Sequence, residues 1–386
     1  MAALGGGHHL ALVADVDTYA ALGRRVERAL AARFAVQRIV LPHAPHADTA
    51  TVEQLTAAIA TPTDAIVAVG SGTINDLCKM AAIAHGCPQL VFATAPSMNG
   101  YTSLSASVTE AGVKRSVRAV TPVGVFFDLR VLAAAPTRLI RAGLGDSVCR
   151  PTAQADWLLA HLLLDRPYRE APFAMLAADE HALLSQGRAL LAGDLTAMRH
   201  LVRTLVLSGF GMTVCGGSYP ASQGEHLLSH YIDMMRAPDV PIALHGEQIG
   251  VCALAMARLQ DHILAFDTPP VLHPTIIERD DLIRHFGRER GDACWNELLP
   301  KRLDRAMADA LNLRLATHWD SMRARIRAVT LGSDRMTAAL FAAGAPITPA
   351  DLGWPQPLFD DAIAHAREIR NRYTFLDVAA DLTVPR

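Results

Sequence analysis

Apolar and β-branched positions gather in short runs over the first third of the chain, and each run is followed by a stretch of helical spacing. Residues 9–16 read as a strand and 18–34 as a helix. The pair recurs at 36–41 and 51–60, and again at 65–69 and 74–85; further strands are read at 89–94 and 123–127. Strand–helix alternation at this spacing predicts a parallel sheet with crossover helices. It also places the loops at the carboxyl ends of the strands, where open α/β sheets bind ligands.

From about Leu139 the pattern changes. β-branched runs become sparse, and alanine- and leucine-rich stretches with helical spacing cover 153–164, 181–192, 195–209, 226–235, 247–264, 278–286, 301–331 and 360–375. The expected fold is an α/β domain over 1–139 with a parallel, Rossmann-like sheet, followed by an all-α domain over 140–386.

Within the first domain, the strand at 65–69 ends in Gly70-Ser-Gly-Thr73 and a helix starts at once. Backbone N–H groups at such a helix start form an anion site suited to a pyrophosphate. The third glycine of the usual dinucleotide fingerprint is missing, so the turn by itself is also compatible with a plain structural role.

The second domain carries a histidine set. His226 and His230 are four residues apart and project from one face of a helix. His245 stands fifteen residues on, just before another apolar helix. Imidazoles on neighbouring helices can meet around a divalent ion, with a third ligand from elsewhere. Asp146, closing Gly143-Leu-Gly-Asp, is a candidate at the junction of the two domains. One carboxylate and two imidazoles leave an open coordination position, the pattern of a catalytic metal site. The chain has 16 histidines, so an i, i+4 pair is more often structural than ligating. Glu225 reads as a charge on the helix surface.

Composition narrows the classes. A net charge of −2 gives no electrostatic reason to expect nucleic acid or an anionic membrane as partner. Residues 1–9 lack the basic and apolar regions of a signal peptide, and no uncharged run approaches the roughly 18 residues of a membrane span. Six scattered cysteines without a C-x-x-C pair read as reduced thiols, so the expected location is the cytoplasm.

Five segments in order carry a resemblance: Gly70–Asp76, Thr94-Ala-Pro-Ser-Met-Asn-Gly-Tyr-Thr-Ser103, Ala142–Asp146 with Ala155-Asp-Trp157, Pro220-Ala-Ser-Gln-Gly-Glu-His226 through His230, and His245-Gly-Glu-Gln248. Over about residues 10–260 the chain resembles the dehydroquinate-synthase-like superfamily, which includes the iron-containing alcohol dehydrogenases. Within it the chain looks most like the bacterial sn-glycerol-1-phosphate dehydrogenases.

The resemblance implies NAD or NADP as cofactor and one divalent ion, Zn²⁺, Ni²⁺ or Fe²⁺. Gly70, Ser71, Gly72, Thr73, Ile74, Asn75 and Asp76 would hold the dinucleotide, with Thr94, Ala95, Pro96, Ser97 and Ser103 around the nicotinamide and its ribose. Asp146, His226 and His245 would bind the metal. Asp146, His230 and Asn99 would face the substrate. Asn99 stands where the family usually has Asp; it keeps hydrogen-bonding capacity and loses the charge. Lys114, Arg115 and Arg118 are candidates for a substrate phosphate. The implied partners are a small polyol phosphate or polyol and further copies of the same chain, as a dimer or larger homo-oligomer.

The expected reaction interconverts dihydroxyacetone phosphate and sn-glycerol 1-phosphate. Other readings are a polyol dehydrogenase of the glycerol dehydrogenase type, which Asn99 favours, and a sugar-phosphate cyclase, which Asp146 in place of a Glu ligand disfavours. A silent dinucleotide-binding scaffold is disfavoured by the complete Asp/His/His set. No acidic or basic choice appears around 41–46, so NAD and NADP stay equal.

Overall fold

The computed structural model describes residues 8–110 and 113–382, with 113–115 described in backbone only. Contacts divide the chain into two compact units. The first comprises the residues up to Ser147 together with Ala174–Gly217 and Ala342–Ala345. The second comprises Val148–Phe173, Ser218–Phe341 and the residues from Pro346 onward.

The first unit is built on β1 (His9–Asp15), β2 (Ala35–Leu41), β3 (Ala65–Gly70), β4 (Gln89–Ala93) and β7 (Gly124–Phe127). They form one sheet in the order β2-β1-β3-β4-β7, and every neighbouring pair is parallel. β3 is buried along its whole length and β1 from Leu10 on, as befits central strands covered on both faces. Leu10, Leu12 and Ala14 pack with Val67 and Val69 and with Leu22 and Val26. Chain order reverses between β1 and β3. In open α/β sheets that reversal opens a crevice at the carboxyl ends of the two strands, and Gly70 ends β3 there.

Three helices of this unit matter below: α1 (Gly72–His85), α2 (Thr137–Val148) and α3 (Leu195–Val214). α3 starts at Asp194, whose carboxylate accepts from the N–H of Thr196 and of Ala197, both at 2.8 Å. A two-stranded antiparallel ribbon, β5 (Ser105–Glu110) with β6 (Val113–Arg118), is an element that the apolar pattern does not announce. Its strands are short and rich in Ser, Thr and charge. Asp76 and the backbone of Ala47 hold it, accepting from Ser107 N–H at 3.1 Å and Thr109 N–H at 2.8 Å. Lys114 and Arg115 lie in β6 and their side chains are outside the described residues; Arg118 is exposed.

The regular elements of the second unit are all helices among its described residues. It contains α4 (Gly224–Met235), α5 (His245–Leu264), α6 (Arg279–Phe286) and α7 (Gln356–His365). Leu158, Leu227, Leu228, Ile232, Met256 and Phe375 are among the residues of its core. Local chemistry trims several expected helices. The 301–331 stretch becomes Arg305–Arg327 because Asp304 caps it, accepting from Met307 N–H at 2.7 Å. The 360–375 stretch does not run through. α7 ends at His365, a 3-10 turn follows at Ala366–Ile369, and Phe375–Asp381 starts a new helix. Thr374 and Asp377 form a capping box there, with Thr374 N–H donating to Asp377 at 2.8 Å. No helix among the described residues is long and apolar enough to cross a membrane.

Candidate functional site

In the first unit, β3 runs into α1 through Ser71 alone. A side chain at Gly70 would overlap Ile74, and one at Gly72 would press on the flexible end of Met98. Both glycines therefore keep the turn close against its neighbours. The side chains of Asn75 and Asp76 are buried. Asn75 donates to Asp76 at 3.1 Å, Gln89 donates to the Asn75 carbonyl at 3.1 Å, and Asp76 accepts from Ser107 N–H. A helix start of this kind can bind an anion through its first-turn N–H groups, while Asn75 and Asp76 fasten α1 to the sheet and to β5.

Lys79, one turn further along α1, is fully buried. Its ammonium donates to the carbonyls of Gly100, Ser103 and Ser105 at 2.8, 2.9 and 2.8 Å, and burial pushes its pKa down to about 8. One side chain thus anchors the segment after Ala93, which contains Thr94, Ala95, Pro96, Ser97, Asn99 and Ser103. Ser103 also bonds within its own turn: its one hydroxyl proton is offered to the Gly100 and Ser105 carbonyls, each 3.0 Å away. Buried Tyr101 donates to the Ala95 carbonyl at 2.7 Å.

Two helices close on this segment through glycines. A Cβ at Gly143 of α2 would overlap the Pro96 carbonyl oxygen, and one at Gly209 of α3 would overlap Thr102 and the Asn99 carbonyl. The close approach at Gly143 brings Asp146, three residues on, under the loop. Asn99 N–H donates to Asp146 Oδ2 at 2.7 Å, and Asn99 Nδ2 donates to Ser208 Oγ at 3.3 Å. Asp146 is buried, 1 % exposed.

In the second unit, α4 and α5 bring the three histidines together. The His226 ring lies 5.9 Å from that of His230 and 5.2 Å from that of His245, centroid to centroid. α4 and α5 are pinned by Gln248, which accepts from Ser229 Oγ at 2.8 Å and donates to Asp233 at 3.1 Å. Glu225 is not the surface charge expected of it: it has no exposure at all. The reason is that it bonds inward. Its carboxylate accepts from Gln223 N–H at 2.8 Å and sits 2.9 Å from His226 Nδ1. A carboxylate on Nδ1 makes that nitrogen the donor and leaves the Nε2 lone pair free to ligate. Buried Asp156 supports the start of α4, accepting from Gly224 N–H at 2.9 Å and Phe375 N–H at 3.0 Å. Burial, with the Glu225 charge beside it, pushes its carboxyl up to about 8.

Glu225, Asp156 and Lys79 all escape a reading of the sequence. The usable signals were a Glu next to a candidate ligand histidine, the Asp within Ala155-Asp-Trp157, and a Lys inside an otherwise apolar helix face.

The family model described as iron-containing alcohol dehydrogenase matches residues 1–136. A glycerol-1-phosphate dehydrogenase [NAD(P)+] of Bacillus velezensis is 31 % identical over 380 residues, 96 % of this chain and 85 % of the relative. An enzyme of the same description from Pyrococcus furiosus is 35 % identical over 237 residues, 61 % of this chain and 67 % of the relative. Among solved structures, a probable glycerol dehydrogenase from Sinorhizobium meliloti matches with a TM-score of 0.60 at 19 % identity, covering 97 % of this chain and 88 % of that one. A sulfoacetaldehyde reductase from Bifidobacterium kashiwanohense in complex with NAD+ matches at 0.59 and 17 %, covering 98 % and 92 %. At these identities the structures speak for the fold alone.

Proposed function

The chain belongs to the glycerol-1-phosphate dehydrogenase family of the iron-containing alcohol dehydrogenases, and we propose that it interconverts dihydroxyacetone phosphate and sn-glycerol 1-phosphate with NAD(P). The observation that carries this reading is the Bacillus velezensis match, which spans nearly the whole chain. The dinucleotide-binding role falls to 1–139, and metal and substrate binding to 140–386 together with Asn99.

One divalent ion, held by Asp146, His226 and His245, belongs to this reading. The donor set fits: two neutral imidazoles and a carboxylate suit Zn²⁺, Ni²⁺ or Fe²⁺. The buried Glu225 carboxylate on His226 Nδ1 supports it further, because a ligating histidine almost always has such a partner on its other nitrogen. When bound, the ion supplies Lewis acidity at the substrate oxygen, and the nicotinamide supplies or accepts the hydride.

The chain's own residues orient and hold. Glu225 fixes the His226 tautomer. Gly70–Asp76, with Thr94–Ser97 and Ser103, seat the dinucleotide. Lys79 and Gly143 keep the 94–103 segment in place, so that Asn99 and Asp146 stand together. His230 and Asn99 are the substrate contacts. The scattered cysteine positions, with no C-x-x-C pair in the sequence, support a reducing, cytoplasmic setting.

The test is a substrate panel. Purified protein with one equivalent of divalent metal is assayed for NADH and NADPH oxidation with dihydroxyacetone phosphate, dihydroxyacetone and glycolaldehyde. Turnover should be highest with dihydroxyacetone phosphate. A preference for either unphosphorylated carbonyl would replace this reading with a polyol dehydrogenase.

A further inference from the structure

Within the helical unit, two neighbouring arginines have no carboxylate paired to them. Arg370 and Arg372 follow the 3-10 turn Ala366–Ile369; Arg370 is extended, and Arg372 N–H donates to the Arg370 carbonyl at 2.8 Å. Among the described residues the Arg370 guanidinium has neither a hydrogen bond nor an ion pair, and Arg372 has no ion pair. Two carboxylates act on them only through space, Glu297 on both and Glu225 on Arg372. Each is engaged elsewhere: Glu297 accepts from Asn371 N–H at 2.7 Å, and Glu225 is bonded to Gln223 and His226. Arg370 is half-buried and Arg372 is 7 % exposed. Burial therefore lowers the pKa of both, and the Arg370 charge lowers that of Arg372 further. Two partly desolvated cations side by side are unfavourable until an anion joins them.

Arg372 is held in a fixed plane. Its guanidinium lies 3.8 Å from the Tyr219 ring centroid, and Tyr219 in turn stacks on Trp157 at 5.8 Å. Nη1 donates to the Ser222 carbonyl at 3.1 Å and Nη2 to Ser218 Oγ at 3.2 Å, which leaves further guanidinium N–H groups for a ligand. Ser218 Oγ accepts from Arg372 and so has its own proton to donate. The 218–223 loop is itself fastened. Ala221 N–H donates to the Ser218 carbonyl at 3.1 Å, and Gln223 Nε2 donates to the Tyr219 carbonyl at 2.8 Å. The loop leads directly into α4 and His226. Tyr219 is 44 % exposed, so solvent reaches this corner of the unit.

We propose that Arg370, Arg372 and the Ser218 hydroxyl form a phosphate site, and that it takes the phosphoryl group of the substrate. The choice of ligand rests on the proposed reduction of dihydroxyacetone phosphate. Two guanidiniums and a hydroxyl suit a dianion with several oxygens, because the planar fork of Arg matches phosphate geometry. A chain of net charge −2 attracts no anion in bulk, so the charge has to be local. The sequence candidates Lys114, Arg115 and Arg118 lie on β6, in the first unit. Arg370 and Arg372 instead share a unit with His226, His230 and His245, and they set the preference for a phosphorylated over a free polyol.

The experiment uses the full, metal-loaded chain and has two arms. In the first, kcat/KM is measured for dihydroxyacetone phosphate and for dihydroxyacetone in the parent, Arg370→Gln, Arg370→Lys and Ser218→Ala. Arg370→Gln should lower the ratio of the two by about 10- to 100-fold, carried mainly by KM for the phosphorylated substrate. Arg370→Lys, which keeps the charge but not the fork, should recover part of that ratio. Ser218→Ala, the mildest change to the fold, should lower it by a smaller factor. In the second arm Tm is read with inorganic phosphate against chloride at equal ionic strength. Phosphate should raise the parent's Tm, and Arg370→Gln should abolish the rise. A parent that prefers dihydroxyacetone, with a phosphate-dependent rise that Arg370→Gln abolishes, would leave the phosphate site standing and remove the substrate reading. Folded Arg370→Gln and Ser218→Ala with the parent's substrate ratio and the parent's phosphate-dependent Tm would overturn the proposal.

Discussion

The backbone N–H of Asn99 and the carboxylate of Asp146 are joined at 2.7 Å, although the residues are 47 apart in the chain. The bond depends on a glycine. Gly143 lets α2 touch the Pro96 carbonyl oxygen, and Asp146 follows within the same helical turn.

A methyl group at 143 must therefore separate α2 from the 94–103 segment. Gly143→Ala gains helix propensity of about 1 kcal/mol but overlaps a backbone oxygen, which no rotamer change relieves. The net effect should be a destabilisation of roughly 1–3 kcal/mol. The kcat/KM should fall further than stability alone explains, because Asp146 moves relative to Asn99. Chemical denaturation and steady-state kinetics on the same preparation read both. Parent-like stability with parent-like kcat/KM would show that the close approach is immaterial.

Glu225→Gln tests the support of His226. The variant keeps the side-chain shape and removes the charge on Nδ1. Affinity for Zn²⁺ at the metal site proposed for His226 should drop by about 10- to 100-fold. Chelator competition on the parent and the variant reads that affinity. Equal affinity for parent and variant would reduce Glu225 to a packing residue.

The buried Asp156 predicts a pH dependence with a definite sign. Its folded pKa of about 8 lies far above the unfolded value near 3.9. The native state thus keeps a proton that the unfolded chain has released. The stability this group contributes is complete below about pH 4 and is lost as pH rises toward 8. Urea unfolding of the parent and of Asp156→Asn at about pH 5, 6.5 and 8.5 should give a difference that moves against the parent with rising pH. Glu225→Gln, which removes the neighbouring charge, should shrink that drift. A difference independent of pH would mean that Asp156 titrates as an ordinary carboxyl.

Gly72→Val tests the dinucleotide turn. The atoms nearest the new Cβ all belong to the Met98 side chain, at 3.0–3.7 Å, so a shift of that side chain should let the fold survive. The branched side chain covers the start of α1 and should abolish NAD(P)H binding in a calorimetric titration. Full affinity in a folded variant would move the cofactor elsewhere.

The parallel sheet was legible because its strands are apolar runs separated by helical periods, and β3 with its glycine turn is among the clearest of them. The His226 and His230 spacing was legible for the same reason: the helix period aligns them. What escaped was tertiary. Glu225 and Lys79 are charged residues that alternate with apolar ones just as surface residues do, and only their buried partners reveal them. β5 and β6 escaped because Ser, Thr and Arg dominate their pattern. The break between α7 and Phe375–Asp381 rests on a Thr374–Asp377 cap inside an otherwise helical stretch, a signal too local to outweigh the periodicity. The resemblance supplied the roles of Asp146 and His245, which spacing alone left open.

Reduction of dihydroxyacetone phosphate by this chain should give a single enantiomer. The most direct measurement is chiral analysis of the product formed from dihydroxyacetone phosphate and NADH or NADPH by metal-loaded protein. The expected product is sn-glycerol 1-phosphate, formed one for one with the nicotinamide oxidised and missing when His226→Ala replaces the parent. Formation of sn-glycerol 3-phosphate, or no product while dihydroxyacetone is reduced, would contradict it.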